Sequence, residues 1–215
     1  VYFDWSKEHQ VIKDDKMCRI TLDIDIDEKS PKMYISQEDS YGFLSENNLV
    51  QKKYIFTHIT SRWKFKEWER DRWLEVFKYV NDMGYKILLS SGPDATELEY
   101  ISFFEDKGLE IIFTNGRLNF NQNAFLIENA SLFLGIDTAM MHVASTTGTP
   151  IIAIFGMSDE WAWRPWCEDH QLIMQECECK KKRKLTCDKT KIVECMDRIT
   201  SQEIIDVMRN KARED

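Results

Sequence analysis

Residues 131–156 read SLFLGIDTAMMHVASTTGTPIIAIFG, and this stretch limits the fold more than any other. Two apolar runs, Leu132 to Ile136 and Ile151 to Phe155, are too short to span a membrane and do not alternate with polar residues. Runs of that kind are strands covered on both faces, as in a parallel sheet. Between them lie a turn at Asp137-Thr138, a short helix predicted to reach about Thr147, and a Gly148-Thr149-Pro150 stop. The unit is therefore strand–helix–strand. Asp137 or Thr138 occupies the N-cap position, and a helix N-terminus at the carboxyl end of a parallel strand turns free N–H groups toward an anion. The first expectation is a phosphate-bearing ligand, within reach of His142, which faces the same way as Thr138 or Ala139.

The same alternation runs back to Tyr54. Strands are predicted over Tyr54–Ile59, Tyr85–Ser90 and Leu109–Thr114, and helices over Glu67–Met83, from Asp94 or Thr96 to Lys107, and over Asn121–Asn129. In the first helix Trp73, Val76, Phe77 and Val80 share a face, and Gly84 stops it. Leu172–Met174 adds a last strand, and Thr200-Ser-Gln-Glu203 is a capping box opening a terminal helix. Repeated strand–helix units with right-handed crossovers make an α/β, Rossmann-like, doubly wound parallel sheet.

Ligands of such sheets bind outside the carboxyl ends of the strands. The rule selects the loops at 58–66, 90–95, 115–119, 135–142 and 156–166. The first, HITSRWKFK, concentrates hydroxyls (Thr60, Ser61) and cations (Arg62, Lys64, Lys66) in a chain of net charge -8. These are donors for phosphate. In the second, SSGPD, Asp94 stands where a carboxylate would take two ribose hydroxyls. In the third, NGRLN, backbone at Leu118 is placed for an adenine edge. Together they describe a nucleotide site, although neither GxGxxG nor GxxxxGK[ST] is present, which argues against the dinucleotide dehydrogenases and phosphate-loop NTPases.

The acidic balance argues against broad nucleic-acid binding, and 215 residues with 43% hydrophobic content suffice for one sizeable core. No run approaches the length of a spanning helix, no signal segment opens the chain, and a start at Val1 points to a fragment or processed product. Residues 1–50 are read as a linker or a remnant of an N-terminal region, and 51–215 as the nucleotide-binding domain. Leu22 to Asp27 alternates and is predicted to be an edge strand or extended linker, which accounts for its DxD carboxylates without a metal. Ser36 to Asn47 is predicted to be helical. Five of the six cysteines fall between Cys167 and Cys195, a usage that fits a reducing compartment. Cys177, Cys179, Cys187 and Cys195 are enough for a tetrahedral zinc site, yet their spacing does not match paired CxxC knuckles, so free thiols are the preferred reading. The intervening Lys180–Lys184 run is read as a solvated loop, with attraction to anionic lipid or phosphorylated sugar as the alternative.

The segments THITSRWKFKEW, LLSSGPD, LFLGIDTAMMHVASTTGTPIIAIFG and WAWRPW resemble, in order and spacing over Tyr54 to Trp166, the C-terminal half of family 9 glycosyltransferases, the lipopolysaccharide heptosyltransferases. The phrasing is most similar to the heptosyltransferase III type. The resemblance implies a GT-B architecture with this chain as its donor-binding domain and ADP-heptose as donor. Ser61 and Lys66 would meet donor phosphate, Asp94 the ribose and Leu118 the adenine, while Asp137, Thr138, Ala139 and His142 would line the diphosphate and heptose. Thr60 and Arg62 belong to the same phosphate-facing loop. The implied reaction is inverting and metal-independent, with no cofactor. Lys66 and the Asp137 turn would carry leaving-group charge, and the general base would lie in an acceptor domain that residues 1–50 cannot hold. The implied acceptor is the lipopolysaccharide inner core, at the cytoplasmic face of the inner membrane. Trp161 and Arg164 are candidates to face that acceptor, and Trp166 is expected to seal the sheet end. The alternatives are a GT-B enzyme with another nucleotide sugar and a non-catalytic nucleotide- or partner-binding α/β module.

Overall fold

The computed structural model describes residues 8–24, 30–35, 41–178 and 192–211. Six strands, β1 (Tyr54–His58), β2 (Lys86–Ser90), β3 (Ile111–Phe113), β4 (Leu132–Ile136), β5 (Ile151–Phe155) and β6 (His170–Met174), form one sheet in the order β3-β2-β1-β4-β5-β6. Every pairing is parallel. All residues of β1, β4 and β5 are buried, as their unbroken apolar character requires.

Because strand side chains alternate between faces, the sheet divides the core in two. On one face Ile55, Leu89, Leu134 and Ile152 pack with Trp73, Phe77 and Val80 of α3 (Arg70–Asp82). On the other, Phe56, Leu88, Phe133 and Phe155 pack with Phe125 of α5 (Phe120–Glu128) and Met141 of α6 (Ala139–Ala144). The face predicted for the first long helix is the buried one, and Gly84 ends it at a φ of +80°.

Several boundaries differ from expectation for local reasons. The helix expected from Glu67 begins at Arg70, because Trp68 is drawn fully into the core, where its indole Nε1 donates to the Ile199 carbonyl at 3.1 Å. A single 3₁₀ turn at Lys64–Lys66 precedes it. Helix α4 (Ala95–Ser102) stops short of Lys107. Helix α6 ends at Ala144, not Thr147, since the Ser145, Thr146 and Thr147 hydroxyls donate back to the carbonyls of Met141, Val143 and Ala144.

The N-terminal region departs further. Residues Gln10–Leu22 form a helix, α1, so Leu22 closes a helix where an extended strand was expected, and Asp23 turns left-handed at a φ of 52°. The rest of that strand, with Asp25 and Asp27, lies outside the described residues. His9 caps α1 by accepting from the Val11 amide at Nδ1, while its Nε2 donates to the Arg164 carbonyl at 2.8 Å. The ring also packs on Trp166, 4.4 Å between centroids. The helix expected from Ser36 is seen as α2 (Tyr41–Glu46), residues 36–40 being outside the description. At the other end, α7 (Glu160–Trp163), α8 (Glu194–Asp197) and α9 (Ser201–Lys211) complete the described helices. The Thr200–Glu203 box is formed, the Glu203 carboxylate accepting from the Thr200 amide at 2.7 Å. Among the described residues no helix is long and apolar enough to cross a membrane.

Candidate functional site

The chain winds outward from β1 to β3, then returns to place β4 on the other side of β1. In sheets of this kind the loops leaving the two strands at such a switch border the ligand crevice. Lys66 and Asp137 meet across it: Nζ lies 2.6 Å from Oδ2 of Asp137 and 3.3 Å from its backbone carbonyl. Asp137 is buried, and Lys66 keeps one side toward solvent. Gly135 makes the approach possible, since a Cβ there would stand 2.6 Å from the His58 carbonyl on the neighbouring strand.

Around this pair the expected residues gather. Thr138 is the N-cap of α6, yet it makes no side-chain capping bond, and its buried Oγ1 has no hydrogen-bond partner. Ala139 opens the helix and is exposed. His142 stands edge-on to Trp163, 6.1 Å between centroids. Burial lowers its pKa, with His9 and Lys66 adding to the effect and Asp137 opposing it. The imidazole is accordingly neutral at neutral pH, able to donate at one nitrogen and accept at the other.

The second and third loops adjoin each other. Gly116, at a φ of +66°, leaves no room for a Cβ, which would fall 2.5 Å from the Pro93 Cα. Asp94 is exposed and caps α4, accepting from the amide and hydroxyl of Thr96 at 2.9 and 2.6 Å. Those bonds hold its carboxyl below the usual range, helped by the Arg62 guanidinium. The Leu118 carbonyl accepts from the Asn123 side chain at 3.2 Å.

The first loop departs from expectation at one residue. Thr60 is fully buried and its hydroxyl donates to the Glu97 carboxylate at 2.6 Å, so it braces the loop from inside instead of lining its surface. The Ser61 hydroxyl accepts from the Trp63 amide, and the Ser61 amide reaches the buried carboxylate of Glu67 at 3.4 Å. Burial raises the pKa of Glu67 against the pull of its Lys64 partner.

Sequence reasoning missed three features here. Glu97 reads as the acidic end of a capping box opened by Asp94, yet its carboxylate turns to Thr60 and Gly92. Ser91 carries a buried hydroxyl with no partner, and the Ser-Ser pair at the strand end was its only trace. His58, Ser90 and Asn123 form a buried polar chain, with contacts of 3.3 and 3.2 Å, ending at the Leu118 loop.

Farther along the rim, α7 holds Ala162 inward while Trp161 and Trp163 stay exposed, and the Arg164 guanidinium lies 5.8 Å from the Trp161 ring. Cys177 and Cys195 are buried in the core, and Cys179 and Cys187 lie outside the described residues, as does Lys180–Lys184. Among the described residues no His, Cys, Asp and Glu gather as a metal-binding group.

Comparison with known proteins bears on this crevice. A family model described as glycosyltransferase family 9 (heptosyltransferase) matches residues 3–193. Lipopolysaccharide heptosyltransferase 3 of Escherichia coli K12 is 34% identical over 123 residues, which cover 56% of this chain and 36% of that protein. The matched part thus spans about a third of the curated relative's length. Among solved structures, a family 9 glycosyl transferase from Veillonella parvula superposes with a TM-score of 0.79 at 19% identity, covering all of this chain and 63% of that one. The E. coli heptosyltransferase WaaC with ADP gives 0.68 at 14% identity, with 97% and 58% covered. These two likenesses concern the fold. The family match runs through the strands and loops that build the Lys66–Asp137 crevice, and on it the chain belongs to glycosyltransferase family 9, the heptosyltransferases.

Proposed function

We propose that this chain supplies the nucleotide-sugar site of a heptosyltransferase, binding ADP-heptose for transfer to the lipopolysaccharide inner core. The observation that carries the reading is the Lys66–Asp137 pair at the switch in strand order, with the unpartnered Thr138 hydroxyl and neutral His142 beside it. An ammonium held at that point suits a diphosphate better than any neutral group would. Asp94 and the Leu118 loop lie on the next two strand ends, in the order that phosphate, ribose and adenine follow along ADP. The relative solved with ADP supports that choice of nucleotide.

In the proposed reaction an acceptor hydroxyl attacks the anomeric carbon as the bond to the diphosphate breaks, inverting the centre. Charge develops on the departing diphosphate oxygen, and Lys66 stands ready to stabilise it without reorganisation. Asp137 holds the ammonium in place and, with His142, borders the sugar. The acceptor proton passes to a general base. Working on lipopolysaccharide, the enzyme would meet its acceptor at the cytoplasmic membrane face, with Trp161 and Arg164 turned toward it.

Calorimetric titration with ADP, UDP and GDP tests the reading. Binding selective for ADP, weakened by both Lys66→Ala and Asp94→Ala, is the expected result. Equal affinity for all three would favour another nucleotide sugar, and flat heats from a folded sample would favour a partner-binding module.

A further inference from the structure

Two donors from different loops converge on one carboxylate oxygen. The Thr60 hydroxyl, in the loop after β1, lies 2.6 Å from Oε2 of Glu97, and the Gly92 amide, in the loop after β2, lies 2.8 Å from the same atom. Thr60 is fully buried and Glu97 nearly so. Glu97 itself belongs to the first turn of α4, the helix that Asp94 caps. A second buried carboxylate, Glu67, takes the Ser61 amide and the Lys64 ammonium. Burying two acidic groups beside an expected phosphate site is unfavourable unless each is satisfied by donors. Here each is satisfied, Glu97 by Thr60 and Gly92 and Glu67 by Ser61 and Lys64.

We propose that Glu97 is a positioning residue that locks the loop after β1 to the loop after β2, fixing Ser61 and Lys66 at a set distance from Asp94. The lock rests on the nucleotide reading above: a ligand with phosphate at one end and ribose at the other is measured by the spacing of the two loops. Fixing that spacing before the ligand arrives removes the ordering cost from binding. Glu97 touches no ligand in this role. Its effect falls on molecules that span both loops and spares those that use only one.

Gly92 provides an independent lever. A Cβ at Gly92 would stand 2.9 Å from both carboxylate oxygens of Glu97, at the free end of a flexible side chain. Gly92→Ala should thus displace the carboxylate while leaving the residue itself in place. Glu97→Gln keeps one carbonyl oxygen for the two donors that now share Oε2, so it should largely preserve the lock. Glu97→Ala removes it.

Two measurements on the chain decide the matter. In hydrogen exchange without ligand, Glu97→Ala and Gly92→Ala should speed exchange at residue 92 and across residues 60–67 by about tenfold or more, with Glu97→Gln near the unmodified rate. In calorimetry, ADP should weaken about tenfold in Glu97→Ala, the scale of a lost bond to a charged group, while adenosine is unchanged. Combining Gly92→Ala with Glu97→Ala should add nothing to either effect, because both act through one contact. Unchanged exchange in a folded Glu97→Ala variant would overturn the lock. So would additive effects of the two substitutions, or adenosine weakening as much as ADP. If the unmodified chain bound no ADP, the nucleotide reading would fall, and the exchange measurement would still decide the lock.

Discussion

Lys66 and Asp137 behave as a unit whose halves are unequally exposed. Removing the lysine strands a buried carboxylate, whereas removing the carboxylate frees a lysine that can reach water. Lys66→Ala is expected to lower stability by about 2 kcal/mol, less than for a fully buried pair because one partner touches solvent. Asp137→Asn should lower it less, and urea unfolding of the two variants checks the order. His58 gives a second prediction. It is buried, and desolvation, opposed by Glu97, lowers its pKa to about 4 from 6.5. Between those values the unfolded chain binds the extra proton and the native chain does not. Stability is therefore complete above about pH 6.5 and falls as pH drops toward 4, by up to about 1.4 kcal/mol per pH unit. Urea midpoints should decline from pH 7 to pH 5, and a folded His58→Asn variant should decline less steeply.

Among the elements, the β1–β4 pairing is the most constrained because it builds the crevice. Gly135→Ala would push a methyl group against the His58 carbonyl and the Phe133 ring, at 2.6 and 3.0 Å. Backbone cannot yield there as a side-chain tip can, so the cost should reach about 2–3 kcal/mol, seen as a melting point lower by roughly 5–10 °C. ADP affinity should fall as well, since the loops after both strands move. Strands are legible where they are short apolar runs, and β4 and β5 have the expected bounds. Helix ends were harder. Trp68 delayed α3, and hydroxyl groups after Ala144 ended α6, both through contacts that periodicity does not report. Helix α1 is not legible in the sequence because its apolar residues form no clear stripe, and its described anchor is a histidine packed on a tryptophan more than 150 residues away.

Over the whole molecule, the C-terminal helix closes the core. Ile204 and Met208 of α9 join the cluster around Trp73, while Arg72 and Trp68 both donate to the Ile199 carbonyl just before it. Ile204→Ala should cost about 2–4 kcal/mol, the range for deleting a buried aliphatic side chain. Nucleotide affinity measured well below the melting point should be unchanged, because α9 packs against α3 and β6, away from the strand ends that form the crevice. A loss of affinity in that variant would show the two regions to be coupled.

Pattern alone determined the parallel sheet, the loops that bear the candidate site and the residue types within them, because strand burial and turn chemistry are local properties of the chain. It also placed Lys66, Asp94, Asp137, Thr138 and His142 in loops at the carboxyl end of the sheet. Only the tertiary structure decided which of them meet. The ion pair between Lys66 and Asp137 depends on β1 and β4 becoming neighbours, which their distance in sequence does not dictate. The inward turn of Thr60 and the role of Glu97 depend on two loops approaching to hydrogen-bond distance. A threonine or glutamate at a loop end reads as a surface group until packing removes it from water, and packing is a property of the whole chain.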